Sequence, residues 1–186
     1  MAVLDIVEWP AKVLETKAKD VEKFDADLKS FVQDMHDTMD KAGGIGLAAN
    51  QVGDLRRVIV IQIPWAEPEE GEEAYEEKKN WHDKRFTFIN PVITKKNGKT
   101  KYMEGCLSFP EMFDFVNRSA EITVEYKDEN GKDQKLEADG LMSICLQHEI
   151  DHIDGIVFIS RMSRLKSGKI KKQMLARAQT RKINAD

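Results

Sequence analysis

The stretch Leu141-Met142-Ser143-Ile144-Cys145-Leu146-Gln147-His148-Glu149-Ile150-Asp151-His152-Ile153 sets an HExxH pattern into the second half of an apolar run. Read as a helix, it places His148 and His152 four positions apart on one face, with Cβ atoms roughly 5 to 6 Å apart. Two imidazoles so placed can reach one metal ion. Glu149 projects about 100° further round, close enough to touch a water on that metal without taking a coordination position. The same pattern turns up by chance on surface helices. Here Leu141, Met142, Ile144, Cys145, Leu146, Ile150 and Ile153 make the helix apolar on nearly every side, which predicts burial. Ionisable groups in a buried helix need partners, so a metal site is the reading that the surroundings favour.

The elements around this helix follow from composition and pattern. A chain of 186 residues suits one domain with a substantial core, and residues 1–186 are read as such. The net charge of -4 and a pI near 5.7 argue against general affinity for DNA or for an anionic membrane. Two cysteines, Cys106 and Cys145, are too few for a disulfide scaffold and fit a reducing compartment. No secretory or transit signal opens the chain, and no apolar run approaches the roughly 20 residues that span a bilayer. The expectation is a cytoplasmic enzyme whose function comes from a site.

Taken in order, Trp9-Pro10 ahead of Ala11 to Leu14 predicts a short helical turn with proline at its start. Asp25 caps a helix whose Leu28, Phe31, Val32, Met35 and Met39 recur at helical spacing, and Gly43-Gly44 stop it. His36 is read as an exposed or edge histidine. The glycine-rich segment Gly44 to Gly53 contains G-x-G-x-x-A, but a helix precedes it and the apolar strand Val58 to Ile61 follows. That is the wrong context for a dinucleotide fingerprint, and a loop that lets backbone approach a ligand fits better. Residues 64–85 are crowded with glutamates and read as an acidic surface insertion, with His82 no ligand. Phe86 to Ile93 predicts strand, Asn97-Gly98 a hairpin back through Tyr102, and Asn130-Gly131 a second hairpin joining Ala120–Tyr126 to Lys132–Glu137. The metal helix, from about Asp139 to His152, ends near Asp154-Gly155. A basic amphipathic helix is expected over 166–182. The class is α+β: antiparallel sheets and hairpins around a central buried metal-binding helix, with N-terminal and C-terminal helices.

A catalytic metal commonly has three protein ligands and one open position. No glutamate follows Glu149, which excludes a thermolysin-like third ligand, and Phe158 stands where a metzincin needs histidine. Cys145 lies seven residues from His152, roughly 10 Å along a helix axis, too far to join both histidines on one ion. It reads as a small buried hydrophobe. Cys106 remains, either as the thiolate that closes a Cys-His-His site or as a buried structural thiol.

Three segments together carry a resemblance. GIGLAANQVG at Gly44 to Gly53, EGCLSFP at Glu104 to Pro110 and QHEIDHIDG at Gln147 to Gly155 resemble the three signature motifs of peptide deformylases, in that family's order. Ile153 replaces the usual leucine, and the acidic insertion is a larger departure. The resemblance implies removal of the formyl group from N-formylmethionyl nascent polypeptides, releasing formate. It implies Cys106, His148 and His152 as ligands of one divalent ion, iron(II) first and zinc, nickel or cobalt as alternatives. Glu149 is implied as general acid/base, with Gln51 and the backbone N–H of Leu107 as donors to the developing oxyanion. Gly46, with Gly105 beside Cys106, is implied to pair with the substrate main chain, and Ile45, Glu104, Ile144 and Cys145 to lie near the methionine pocket; each could equally be a packing residue. Rival readings are another metal-dependent amidase or peptidase, and a non-catalytic protein with a structural metal. The basic tail invites a ribosome-docking reading beside the plain one of a solvated helix.

Overall fold

The computed structural model describes residues 2–63 and 83–185. Most of the acidic segment, with His82, lies outside the described residues. The described chain forms helices α1 (Ala26–Lys41), α2 (Gly140–Ile153) and α3 (Arg164–Ala185). Its strands are β1 (Gly46–Ala48), β2 (Val58–Gln62), β3 (Arg85–Asn97), β4 (Thr100–Cys106), β5 (Phe109–Arg118), β6 (Glu121–Lys127) and β7 (Asp133–Ala138). An antiparallel sheet of order β1-β2-β3-β6-β7 forms the frame, and β4 and β5 make a separate two-stranded sheet.

The large sheet is covered on both faces, which explains why β2 is apolar without alternation. Ile59 and Ile61 pack with Phe88 and Val124 against Met142, Leu146 and Ile150 of α2. Val58 and Val60 turn the other way, onto Leu28, Val32, Met35 and Met39 of α1. Each such side chain contributes about 1.5–3 kcal/mol when fully removed from water. The α1 signals act as read: the Asp25 carboxylate accepts from the Leu28 N–H at 3.1 Å, and Gly43, at φ +66°, follows the last turn. A third cluster joins Trp9, Phe109, Val116 and Phe158 to Ile170 and Met174 of α3, so the basic helix is docked by an apolar stripe.

Helix α2 is buried from Met142 to Ile153. It stops because Gly155 takes φ +74°, letting the Gly155 and Ile156 N–H groups close back on His152 and Asp151 carbonyls at 2.9 and 2.8 Å. A Cβ there would also meet the Glu15 carbonyl oxygen at 3.0 Å.

Several expectations change. Asn97-Gly98 reverses the chain but makes no hairpin: the end of β3 pairs with β6, whereas β4 pairs with β5 from Thr100↔Arg118 to Cys106↔Phe109. A turn signal specifies a local reversal, not the ladder that the outgoing strand joins. The glycine-rich segment is not a loop throughout, since Gly46–Ala48 is the edge strand of the sheet and Ala49–Val52 a 3-10 turn. Pro10 precedes the first turn, Lys12–Glu15, by two residues instead of opening it. His36 is buried, 4 % exposed, with Nε2 3.2 Å from Thr87 Oγ1, because α1 is covered by β3 beyond its apolar stripe. Helix α3 starts two residues earlier than 166.

Candidate metal centre and its cleft

Helix α2 and the β4–β5 turn meet over the edge strand β1. The turn is tight, and it delivers Cys106 to the helix: Cys106 Sγ lies 3.1 Å from His152 Nε2, and the two histidine Nε2 atoms are 3.2 Å apart. The three ligand atoms all lie within 4.8 Å of one another. This is the closure over some forty residues that the helix alone could not supply. Cys145, by contrast, points to the Ile45 carbonyl at 3.7 Å, and burial holds its thiol pKa well above the usual value, so it stays a neutral packing group.

The histidines are oriented from behind. His148 Nδ1 lies 2.8 Å from Glu104 Oε2, which assigns the proton to Nδ1 and leaves the Nε2 lone pair facing Cys106 and His152. Burial lowers the His152 pKa well below that of a free imidazole, keeping it neutral. Against burial, hydrogen bonds with Cys106 and Glu104 raise the His148 pKa well above that of a free imidazole, so a cation would take the place of its Nε2 proton. A cysteine sulfur and two imidazole nitrogens beside a cleft form a donor set that fits a borderline-soft divalent cation such as zinc or iron(II) and suits magnesium or calcium poorly.

Glu104 is held by Arg118, whose Nε and Nη2 donate to its two oxygens at 2.7 and 2.9 Å. Burial opposes its ionisation, but the hydrogen bonds from Arg118 and His148 prevail and bring its pKa down to about 2. Glu149 is its opposite. It is 4 % exposed, its Oε2 has no hydrogen-bond partner among the described residues, and burial pushes its pKa up to about 7. Gly46 makes room for it: a Cβ there would stand 2.5 Å from Glu149 Oε1 and 2.7 Å from Cys145 Sγ. Gln51 is fixed by function of its two ends. Its Oε1 accepts from the Ala48 N–H at 2.8 Å, so Nε2 must face Ser108 Oγ at 3.3 Å and Cys106 Sγ at 3.6 Å.

These groups line a cavity of about 550 Å³ that also includes Gly44, Ile45, Gly105, Leu107, Tyr102, Leu141, Ile144 and Phe113. Every residue singled out in the three motifs therefore borders one cleft or supports its wall, His152 from beneath. Sequence reasoning missed Arg118 and Asp151. Arg118 Nη1 donates to Asp151 at 2.5 Å, inside a helix whose buried carboxylate called for a cation on packing grounds alone. It also missed Asn50, whose Nδ2 donates to the His152 carbonyl.

The polypeptide deformylase model matches residues 3–168. The chain belongs to the polypeptide deformylase family. It is 45% identical over 177 residues to the peptide deformylase of Chromobacterium violaceum, covering 95% of this chain and 97% of that one. The Neisseria gonorrhoeae peptide deformylase is 44% identical over the same shares. Among solved structures, the Ehrlichia chaffeensis peptide deformylase superposes with a TM-score of 0.83 at 38% identity, covering 95% and 97% of the two chains. As a deformylase by family, the chain is a metal-dependent hydrolase that removes formyl groups, and the rival amidase reading is not favoured. The α+β architecture is the one these relatives share. Among the described residues no helix is long and apolar enough to cross a membrane.

Proposed function

We propose that Cys106, His148 and His152 hold one divalent cation, iron(II) before zinc, nickel or cobalt, and that residues 1–186 form a single catalytic domain acting on N-formylmethionyl nascent polypeptides. The observation that carries this is the meeting of Cys106 Sγ, His148 Nε2 and His152 Nε2 beside an unpaired, buried Glu149 oxygen. When bound, the cation supplies Lewis acidity that makes water ionisable near neutral pH. Glu149 accepts the proton of the attacking water at its free oxygen and returns it to the leaving nitrogen as the formyl C–N bond breaks, giving formate and a free amine. A pKa near 7 equips it for both directions of transfer. Gln51 Nε2 and the Leu107 backbone N–H donate to the oxyanion, each worth about 3 to 4 kcal/mol.

The peptide binds extended along β1, which among the described residues is an edge strand paired only with β2, with Gly46 and Gly105 as main-chain partners. Ile45, Ile144 and Cys145 line the pocket for the methionine side chain. Glu104, read from sequence as a pocket residue, acts here through His148, since both its oxygens are engaged by Arg118 and that ring. Actinonin, bound in an Ehrlichia chaffeensis relative, is expected to bind this cleft. Two cysteines free of any disulfide support a cytoplasmic setting.

Ribosome docking through α3 is supported by its surplus of cations: Lys166, Arg177 and Arg181 are engaged by Asp114 and Glu8, whereas Lys169, Lys171 and Lys172 are exposed. Co-sedimentation that survives reversal of those three lysines to glutamate would rule it out. For the site, protein expressed without oxygen should contain one metal and release formate from formyl-Met peptides. Glu149→Ala should keep the metal and lose turnover, and Cys106→Ser should lose metal. Full activity in both variants would overturn the mechanism, and equal rates for Met and Asp at the first position would overturn the pocket.

A further inference from the structure

We propose that Arg161, outside all three motifs, is a positioning residue for His148, acting through Asp151, Arg118 and Glu104; this rests on His148 being a metal ligand. The four charged groups form one continuous chain. Arg161 Nε donates to Asp151 Oδ2 at 3.0 Å and Nη2 to Oδ1 at 2.5 Å. The same Oδ2 accepts from Arg118 Nη1 at 2.5 Å, and Arg118 grips Glu104 with its remaining nitrogens, Nε and Nη2, at 2.7 and 2.9 Å. Glu104 Oε2 then meets His148 Nδ1 at 2.8 Å. The chain crosses four elements: the 3-10 turn Phe158–Arg161, α2, β5 and β4.

Charge balance explains why the outer arginine matters. The Arg118, Glu104 and Asp151 side chains are 4, 3 and 10 % exposed, so water screens them little. With Arg118 alone, two buried carboxylates would share one guanidinium, and Asp151 would compete with Glu104 for it. Arg161 supplies the second cation from a half-exposed position, 43 %. Asp151 is then satisfied from both sides, and Arg118 keeps its two-bond hold on Glu104. That hold fixes the Glu104 carboxylate, and through it the ring orientation of His148. Asp151 also immediately precedes His152, so movement of its side chain would be felt by the helix turn that carries both ligands.

The test compares Arg161→Met and Arg161→Lys with Arg177→Met, which removes a contact between α3 and Glu8 outside this chain. Each variant is loaded with cobalt(II), and the absorption spectrum and the rate of cobalt release to a chelator are recorded. Nitrogen-15 NMR of the metal-free proteins reads the His148 tautomer. Arg161→Met should speed release about tenfold, the scale of outer-contact substitutions at metal sites, and shift the His148 signals. Arg161→Lys should restore part of the loss, having the charge without the fork. Arg177→Met should lower the melting temperature and leave release and tautomer unchanged. Equal effects of the two methionine variants on release, or no effect of Arg161→Met, would overturn the proposal. A wild-type protein that holds no cobalt at Cys106, His148 and His152 would overturn both it and the metal reading beneath it.

Discussion

Helices α1 and α2 lie on opposite faces of one sheet, and each buries an apolar surface against the same strand β2. Only α2 also buries Gln147, His148, Glu149, Asp151 and His152. On α1 the ionisable groups sit on the solvent side, apart from His36. On α2 the polar and ionisable groups are enclosed, and most are paired: the Gln147 amide with Ser119 and Ser143, Asp151 with two arginines, and His148 with Glu104. Left buried without a hydrogen-bond partner among the described residues are His152 Nδ1 and, alone among the helix's carboxylate oxygens, Glu149 Oε2. One helix stabilises the sheet. The other uses the same sheet as a dry wall against which a carboxylate is left without a partner among the described residues, facing the cleft.

From this contrast the largest effect is expected at the unpaired carboxylate. Glu149→Gln should cut kcat for formate release by roughly 10²–10⁴ while metal content stays at the wild-type level. Gln51→Ala should lower kcat by about 10²–10³, and, by stranding the Ala48 N–H, should also cost about 1–3 kcal/mol of stability. On the other face, Met35→Ala opens a cavity beneath a fully buried side chain and should cost about 2–5 kcal/mol by urea unfolding. At temperatures where that variant stays folded, kcat/KM should match wild type, and a parallel loss of both would erase the distinction between the helices.

Two carboxylates of the cleft give a smaller, pH-dependent test in metal-free protein. Glu149 has a folded pKa of about 7, above its unfolded value, so its contribution is fully present below the unfolded pKa and is lost as pH rises through 7. At pH 8, Glu149→Gln should therefore be more stable than wild type, by about 3 kcal/mol, and the gap should narrow as pH falls toward the unfolded carboxylate value. Glu104 has a folded pKa of about 2, below its unfolded value, so its contribution is present above the unfolded pKa and is lost as pH falls toward 2. Glu104→Gln should be less stable at pH 7, with the difference shrinking in acid. Denaturant titrations at several pH values check both signs. The smallest effect is expected at the half-exposed Arg177–Glu8 pair: Arg177→Met should cost no more than about 1 kcal/mol and leave formate release unchanged.

Local patterns in the chain were informative where the governing physics is local. The α1 stripe, its Asp25 cap, the Asn130-Gly131 hairpin and the Gly155 stop of α2 all stand where spacing and turn chemistry put them. Asn97-Gly98 misled because the strand that enters it, β3, finds its partner further along the chain in β6, while the strand that leaves it, β4, turns back on the strand that follows, β5. His36 misled because helical periodicity sees one face at a time and not the second element that covers its border.

The HExxH helix by itself determined two histidines on one face, a base beside them and the need for burial, since these follow from 3.6 residues per turn and from the cost of dry charge. It left the third donor open between a loop cysteine and nothing. Only tertiary structure brings a candidate to the two histidines, by folding β4 back on β5 so that Cys106 Sγ lies 3.1 Å from His152 Nε2. It also decided which carboxylate is paired and which is free. Glu104 and Glu149 are the same side chain in sequence, but one meets Arg118 across a strand pair and the other meets a glycine. Such pairings join residues distant in the chain and depend on the whole domain closing, so no local pattern encodes them.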